Sequence, residues 1–388
     1  MKQVILLNYK YFILLIVLCL LILFYFLKNN IEYIYKEIEK YIKFNLAGNL
    51  YHSTLEFYNR EKPEISIVIS TFNGEIYLKP AVRSIQNQNL LNIEIIIVDD
   101  GSMDGTAEVA KELMKEDRRI KLISNIINRG TLYTKTNGVL NAKGQYVMTL
   151  DHDNLYSTEY VFSRLYKEAK KYNLDLLGFS AILTGIEIKN LTKSQFFNYF
   201  ETTIIQKPDI KKRFLGKDPG IASSTFLCLY FIKTELFLKI IKQLGDEFIN
   251  RNIDDGDDTI LMFILSRTAI TLKHLKEIFY IILNWPEKYS KSLTFQRIYK
   301  YREREKKNCY SYLTFTEILL KFTDNIEKSL AEHYFLSLII RHNKCKNQTG
   351  IMKEAIRVCN LFINNEYISS NTKKEISKYL NKLKIKQL

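Results

Sequence analysis

From Glu64 onward, short apolar runs alternate with segments whose apolar residues recur every three or four positions. Ile65–Ser70, Ile93–Val98, Ile120–Ile123 and Gln145–Leu150 read as strands, with Ile76–Gln88, Thr106–Lys115 and Leu132–Asn141 as the helices between them. Ile93–Val98 is rich in β-branched residues, the pattern of a strand buried on both faces. Strands alternating with helices imply βαβ units, right-handed crossovers and a mostly parallel sheet. Further along, Thr158–Tyr172, Glu235–Leu244 and Asp258–Ser266 read as helices, and Leu174–Ser180 and Thr225–Phe231 as strands. Residues 181–222 carry little pattern, and after Trp285-Pro286 the chain is Lys-rich and helical.

Upstream, Tyr11–Leu27 is uncharged and almost wholly apolar, at the short end of what crosses a bilayer. Tyr9, Tyr11 and Tyr25 suit the interfaces, and Lys10 and Lys28 can snorkel outward. A cleaved signal peptide would end in small residues, which this run lacks. The expectation is an uncleaved single-pass anchor, with basic residues on both sides leaving its orientation open. Ile31–Tyr58 then reads as a stem helix, and Pro63 prevents it from continuing. The expected organisation is an anchor over 1–28, a stem over 29–62, an α/β domain over 63–290 and a helical extension over 291–388.

Composition adds limits. The chain has 388 residues, and its 57 Lys+Arg against 42 Asp+Glu give a formal charge of +15. That balance suits phosphate-rich ligands or anionic membrane surfaces, although a coding bias towards Lys, Asn, Ile and Tyr would raise it too. No aromatic-basic module points to nucleic acid. Cys19, Cys228, Cys309, Cys345 and Cys359 form no CxxC pair, so neither a zinc site nor a disulfide framework is legible; a bridge or two in the C-terminal half stays open. GxGxxG and GxxxxGK[ST] are absent. A calcium loop beginning at Asp100 would put Lys111 where a bidentate Glu is required.

Candidate chemistry falls where apolar runs end. Ser70-Thr71-Phe72-Asn73-Gly74-Glu75, Val98-Asp99-Asp100-Gly101-Ser102 and Asp151-His152-Asp153 each follow a strand, so the three converge on one sheet edge. In an extended chain Asp151 and Asp153 would share a side, where two hard oxygen donors suit Mg²⁺ or Mn²⁺ bridging to a diphosphate. His152 reads as a bystander. The acids Asp254, Asp255, Asp257 and Asp258 precede a helix. Capping and the helix dipole explain one or two of them, and a carboxylate base explains the rest.

Together, Glu64–Asn73, Ile95–Ser102, Asn128-Arg129-Gly130, Asn137-Gly138, Ala142–Gly144, Leu150–Asp153 and Gly256–Asp258 resemble the family 2 glycosyltransferases over roughly residues 62–290. The resemblance implies a GT-A fold, a mostly parallel sheet flanked by helices. It implies transfer of a sugar from a nucleotide-sugar, here a UDP-sugar, to a hydroxyl of a glycan, protein or lipid, with inversion. Thr71, Asn73 and Glu75 would line the nucleotide pocket, and Asp100, supported by Asp99, would hold the base. Arg129 would approach the diphosphate, Asp151 the ribose or metal, and Asp153 would bind Mn²⁺ or Mg²⁺ directly. Asp258 is the expected catalytic base, with Asp257 second. A single-pass protein of this kind would sit in a Golgi or endoplasmic-reticulum membrane if eukaryotic. The alternatives are an inactive, membrane-tethered binding module and a nucleotidyltransferase, although the latter lacks its Gly-rich phosphate loop. Without a Q-x-x-R-W motif the processive polysaccharide synthases match poorly.

Overall fold

The computed structural model describes residues 62–185, 196–197, 203–214, 226–253, 256–284, 309–336 and 352–385. The expected anchor, most of the stem, Asp254, Asp255, Trp285 and much of the expected acceptor region lie outside the described residues. Among the described residues no helix is long and apolar enough to cross a membrane.

The first half alternates as its patterning predicts. Strand β1 (Ile65–Thr71) leads to α1 (Leu78–Gln86), β2 (Ile93–Asp99), α2 (Thr106–Glu116), β3 (Ile120–Ser124), α3 (Thr131–Leu140) and β4 (Tyr146–Asp151). Ile65, Ile67, Val68 and Ile69 of β1 are fully buried, which is why this strand reads as an unbroken apolar run. Pro80 falls in the first turn of α1, where a helix has no bond for its missing N–H to lose. A Cβ at Gly138 would sit 2.3 Å from Val68 Cγ1, so only glycine lets α3 lie this close to β1.

The second half keeps its expected helices and departs from expectation in its strands. It runs β5 (Leu155–Tyr156), α4 (Val161–Tyr172), β6 (Leu176–Gly185), β7 (Phe196–Phe197), β8 (Ile205–Gln206), β9 (Tyr230–Lys233), α5 (Thr234–Leu244), α6 (Asp257–Thr268) and β10 (Thr271–Asn284). Helices α7 (Cys309–Phe322), α8 (Lys328–Phe335), α9 (Met352–Asn364) and α10 (Ser370–Ile385) follow. The sheet order is β3-β2-β1-β4-β9-β6-β10-β5. Pairs β1–β2, β1–β4, β2–β3 and β6–β10 are parallel, whereas β9 is antiparallel to both β4 and β6. The sheet is therefore mixed, and mostly parallel only in its first half.

Strand β10 is also a departure: Ile278–Leu283 is an apolar run of strand type, but the first half of the strand is not. Leu272 and Leu275 sit three apart among lysines, and the pairing with β6 shifts register between His274 and Ile278 and again before Tyr280. Such irregularities break the period-two alternation by which a half-buried strand is read. Likewise, the strand expected from Thr225 begins only at Tyr230, because Leu227–Leu229 forms a 3₁₀ turn. Cys228 and Cys359 are buried free thiols, so neither belongs to the C-terminal bridges left open by sequence.

Candidate active site

The chain leaves β1 for β2 and β3 on one side, then returns to place β4 on the other. Open α/β sheets bind ligands at such a switch point, outside the carboxyl ends of the strands. The loops there are laced together. The Asn73 amide donates to Ser102 Oγ (2.9 Å), and the Met103 amide donates to Asn73 Oδ1 (2.9 Å). Gly105 N donates to Glu75 Oε2 (3.2 Å). Asn73 adopts a positive φ of 51°, a conformation that asparagine tolerates better than most residues. Thr71 Oγ1 is buried with no hydrogen-bond partner and lies where a Cβ on Gly74 would clash at 2.4 Å.

Asp99 Oδ1 accepts from its own turn at Ser102 N (3.1 Å). Asp100 organises the next loop: Oδ1 accepts from Asn125 Nδ2 (2.8 Å) and Arg129 N (2.9 Å), and Oδ2 from Gly130 N (2.9 Å). That loop then abuts the one before α6. Ile253 O accepts from Thr131 Oγ1 (3.0 Å) and Leu132 N (3.2 Å), and Arg129 Nη2 donates to Asn250 Oδ1 (2.8 Å). The Arg129 guanidinium also lies 4.0 Å above the Tyr133 ring. Gly130 is obligatory here: its φ is +87°, and a Cβ would stand 2.7 Å from Ile253 N.

The strand ends at Asp151, and Asn154 N closes a turn onto Asp151 O (3.0 Å). Asp151 and Asp153 are therefore not alternate residues of one strand, and the same-side geometry inferred from an extended chain does not hold. Asp151 keeps 32% of its side chain exposed, whereas Asp153 is 5% exposed. The unforeseen strand β10 fixes this turn. Tyr280 Oη accepts from Asp151 N (3.2 Å) and Asn154 Nδ2 (3.3 Å), and Leu283 N donates to Asn154 Oδ1 (3.1 Å). Burial raises the Tyr280 hydroxyl far above the usual tyrosine range, so it stays protonated. His152 serves packing, with Nδ1 3.2 Å from Ser70 O and its ring 5.7 Å from that of Tyr77.

At the centre stands Lys135 of α3, a residue the motif reading passed over. Its Nζ lies 2.6 Å from Asp258 Oδ1, 2.8 Å from Asp257 Oδ2 and 3.8 Å from Asp151 Oδ1. The signal was available: Lys135 shares the core face of α3 with Leu132 and Val139, where an unpaired ammonium would be costly. Burial opposes its charge, but Asp257, Asp258 and Asp151 outweigh that and hold it well above the ordinary lysine value. Burial, joined by the like charges of Asp257 and Asp151, pushes the Asp258 carboxyl up to about 7 against the pull of Lys135. A carboxylate tuned near neutrality suits proton abstraction.

The described residues hold no group of three or more His, Cys, Asp or Glu side chains that could hold a metal ion. Mg²⁺ is commonly held by one or two protein carboxylates plus substrate phosphates. The cluster fits that mode, because three carboxylates around one ammonium leave the pocket with excess negative charge and Asp151 is accessible.

Residues 66–232 match the sequence model of the family described as "Glycosyl transferase family 2". An "Uncharacterized glycosyltransferase" of Haemophilus influenzae is 31% identical over 151 residues, 38% of this chain and 60% of the relative. A "GalNAc(5)-diNAcBac-PP-undecaprenol beta-1,3-glucosyltransferase" of Campylobacter jejuni is 41% identical over 93 residues, 24% of this chain and 30% of that protein. This chain thus spans less than two thirds of either relative. Among solved structures, S. aureus TarS 1-349 superposes with a TM-score of 0.51 at 13% identity, covering 80% of this chain and 82% of TarS. Its complex with UDP-GlcNAc gives 0.51 at 15% identity over the same shares. The fold is a GT-A-like α/β fold with a mixed sheet and a helical C-terminal region. The family match and named relatives support a glycosyltransferase. Asp257 and Asp258 lie beyond residue 232, so their place rests on the geometry around Lys135.

Proposed function

We propose that the protein transfers a sugar from a UDP-sugar to a hydroxyl acceptor, with inversion and metal assistance. The Lys135 cluster carries this reading, because it brings the end of β4 and the start of α6 together beside the switch-point loops. Asp258 takes the proton of the acceptor hydroxyl, whose oxygen bonds to the anomeric carbon as the carbon–oxygen bond to the diphosphate breaks. The bonding pair leaves on the diphosphate. General-base assistance of this kind is worth ~10²–10⁴-fold. Attack opposite the leaving group inverts the anomeric centre in one displacement. Asp151 and the more buried Asp153 would hold a Mg²⁺- or Mn²⁺-type ion, which when bound offsets charge on the departing diphosphate.

Thr71, Asn73, Glu75, Asp99 and Asp100 form the frame against which the uridine rests, and Arg129 stands at its rim. UDP as the nucleotide is suggested by the UDP-GlcNAc complex of the TarS structure. The undecaprenol-linked glycan in the name of the Campylobacter relative suggests a glycan or lipid-linked acceptor. Residues 11–27 would tether the chain to a membrane, which fractionation of cells expressing the full chain would detect.

The test uses the full chain in detergent with UDP-, GDP- and CMP-sugars plus Mn²⁺, measuring nucleotide release. Asp258→Asn should keep nucleotide binding and lose transfer, and Asp153→Ala should lose the metal-dependent part of binding. Nucleotide binding without release from any donor would instead favour a tethered binding module. Absence of both would overturn the proposal.

A further inference from the structure

The geometry points to Lys135 as a positioning residue for the transfer, holding Asp258 in register with the donor-side Asp151; this rests on the glycosyl-transfer reading above. The ammonium engages its partners unequally. It hydrogen-bonds Asp258 Oδ1, forms an ion pair with Asp257 Oδ2 at 2.8 Å that lacks hydrogen-bond geometry, and lies 3.8 Å from Asp151 Oδ1. It is therefore anchored on the acceptor side and reaches towards the donor side.

Two adjacent carboxylates at the first turn of α6 repel one another, and the helix N-terminus alone gives them no common direction. A single ammonium between them does. By taking Oδ1 of Asp258, Lys135 leaves Oδ2 to receive the acceptor proton.

The lysine is itself held by its surroundings. Helix α3 begins at Thr131, whose Oγ1 donates to Ile253 O, and Leu132 N donates to the same carbonyl. Gly130, just before, is held by Asp100. The backbones on both sides of the Lys135–Asp258 contact are thus tied together four residues from the lysine and four from Asp257. Displacement of the ammonium would be felt by Asp258 before it was felt by the nucleotide loops.

The experiment compares Lys135→Met, Lys135→Arg and Lys135→Gln with the wild-type chain, reading kcat and KM for UDP release and UDP affinity by calorimetry. Lys135→Met should lose about 100-fold or more in kcat while UDP affinity stays within about threefold. Lys135→Arg, which keeps the charge, should recover at least about tenfold of that loss. Lys135→Gln takes the place of Lys135→Met if the latter does not fold. A kcat within about threefold of wild type overturns the proposal, and so does a parallel fall in kcat and UDP affinity, which would put the ammonium on the donor instead. If the wild-type chain releases nucleotide from no donor, the transfer reading fails. Urea unfolding of Lys135→Met, Asp258→Asn and their double variant then decides the contact: non-additive midpoints support it and additive midpoints overturn it.

Discussion

Replacing Asp100 by alanine separates two roles that one carboxylate can play at this edge. The family resemblance implies that it holds the base, but the structure engages both of its oxygens within the protein. Asp100 is 3% exposed and accepts three hydrogen bonds, two of them from the backbone amides of Arg129 and Gly130. Each buried donor left unpaired costs ~1–3 kcal/mol. Gly130 N is buried, whereas Arg129 is half-buried and its amide can find water in the variant. One full loss and one partial loss predict a destabilisation of ~2–4 kcal/mol. Because Gly130 borders Ile253, the loosened loop should also release the segment before α6, and activity should fall together with stability. The assay is urea unfolding with UDP calorimetry on the same preparations. A variant that unfolds at the wild-type midpoint yet no longer binds UDP would refute the reasoning and return Asp100 to the base.

Other outcomes follow from the same geometry. With the Asp258 carboxyl pushed up to about 7, the deprotonated base is lost as pH falls through that value, so kcat should drop about tenfold per unit below it, which a pH–rate profile will show. The sign for stability is opposite: between the ordinary aspartate value near 3.8 and about 7 the folded chain binds more protons than the unfolded one, so this group makes stability fall as pH rises over that window. Gly130→Ala meets Ile253 N at 2.7 Å with a φ of +87° and should cost ~1–3 kcal/mol in urea unfolding while lowering kcat. Glu317→Ala removes the carboxylate that Arg251 Nη1 (2.8 Å) and Arg357 Nη1 (3.0 Å) share beside the Asn250–Ile253 segment; kcat should fall more than UDP affinity, readable from steady-state kinetics and calorimetry. Gly178→Ala would place a Cβ 2.1 Å from the buried His274 ring and should destabilise the sheet by ~1–3 kcal/mol without changing KM of the remaining folded protein.

Much of the first half was legible because its signals are local. An unbroken apolar run such as β1 buries both faces, and polar clusters at strand ends mark the loops where a parallel sheet binds ligands. The site loops after β1, β2 and β4 thus fell at one edge as their spacing implied. The second half was less legible for equally physical reasons. Its antiparallel strand β9 is short and entered through a 3₁₀ turn, and the register shifts in β10 erase alternation. The turn at Asp151 was misjudged because the apolar pattern does not say where a strand ends, and Tyr280 lies over a hundred residues away.

Sequence by itself determined the α/β alternation, the acidic strand ends and the resemblance they carry, since these depend on neighbours along the chain. Only tertiary structure decided that Lys135 would stand among Asp151, Asp257 and Asp258, that Asp100 would hold the Arg129–Gly130 turn, and that β10 would brace the Asp151 turn. A buried charge finds its partners through the whole packing of the sheet and helices, and no local pattern records who they are.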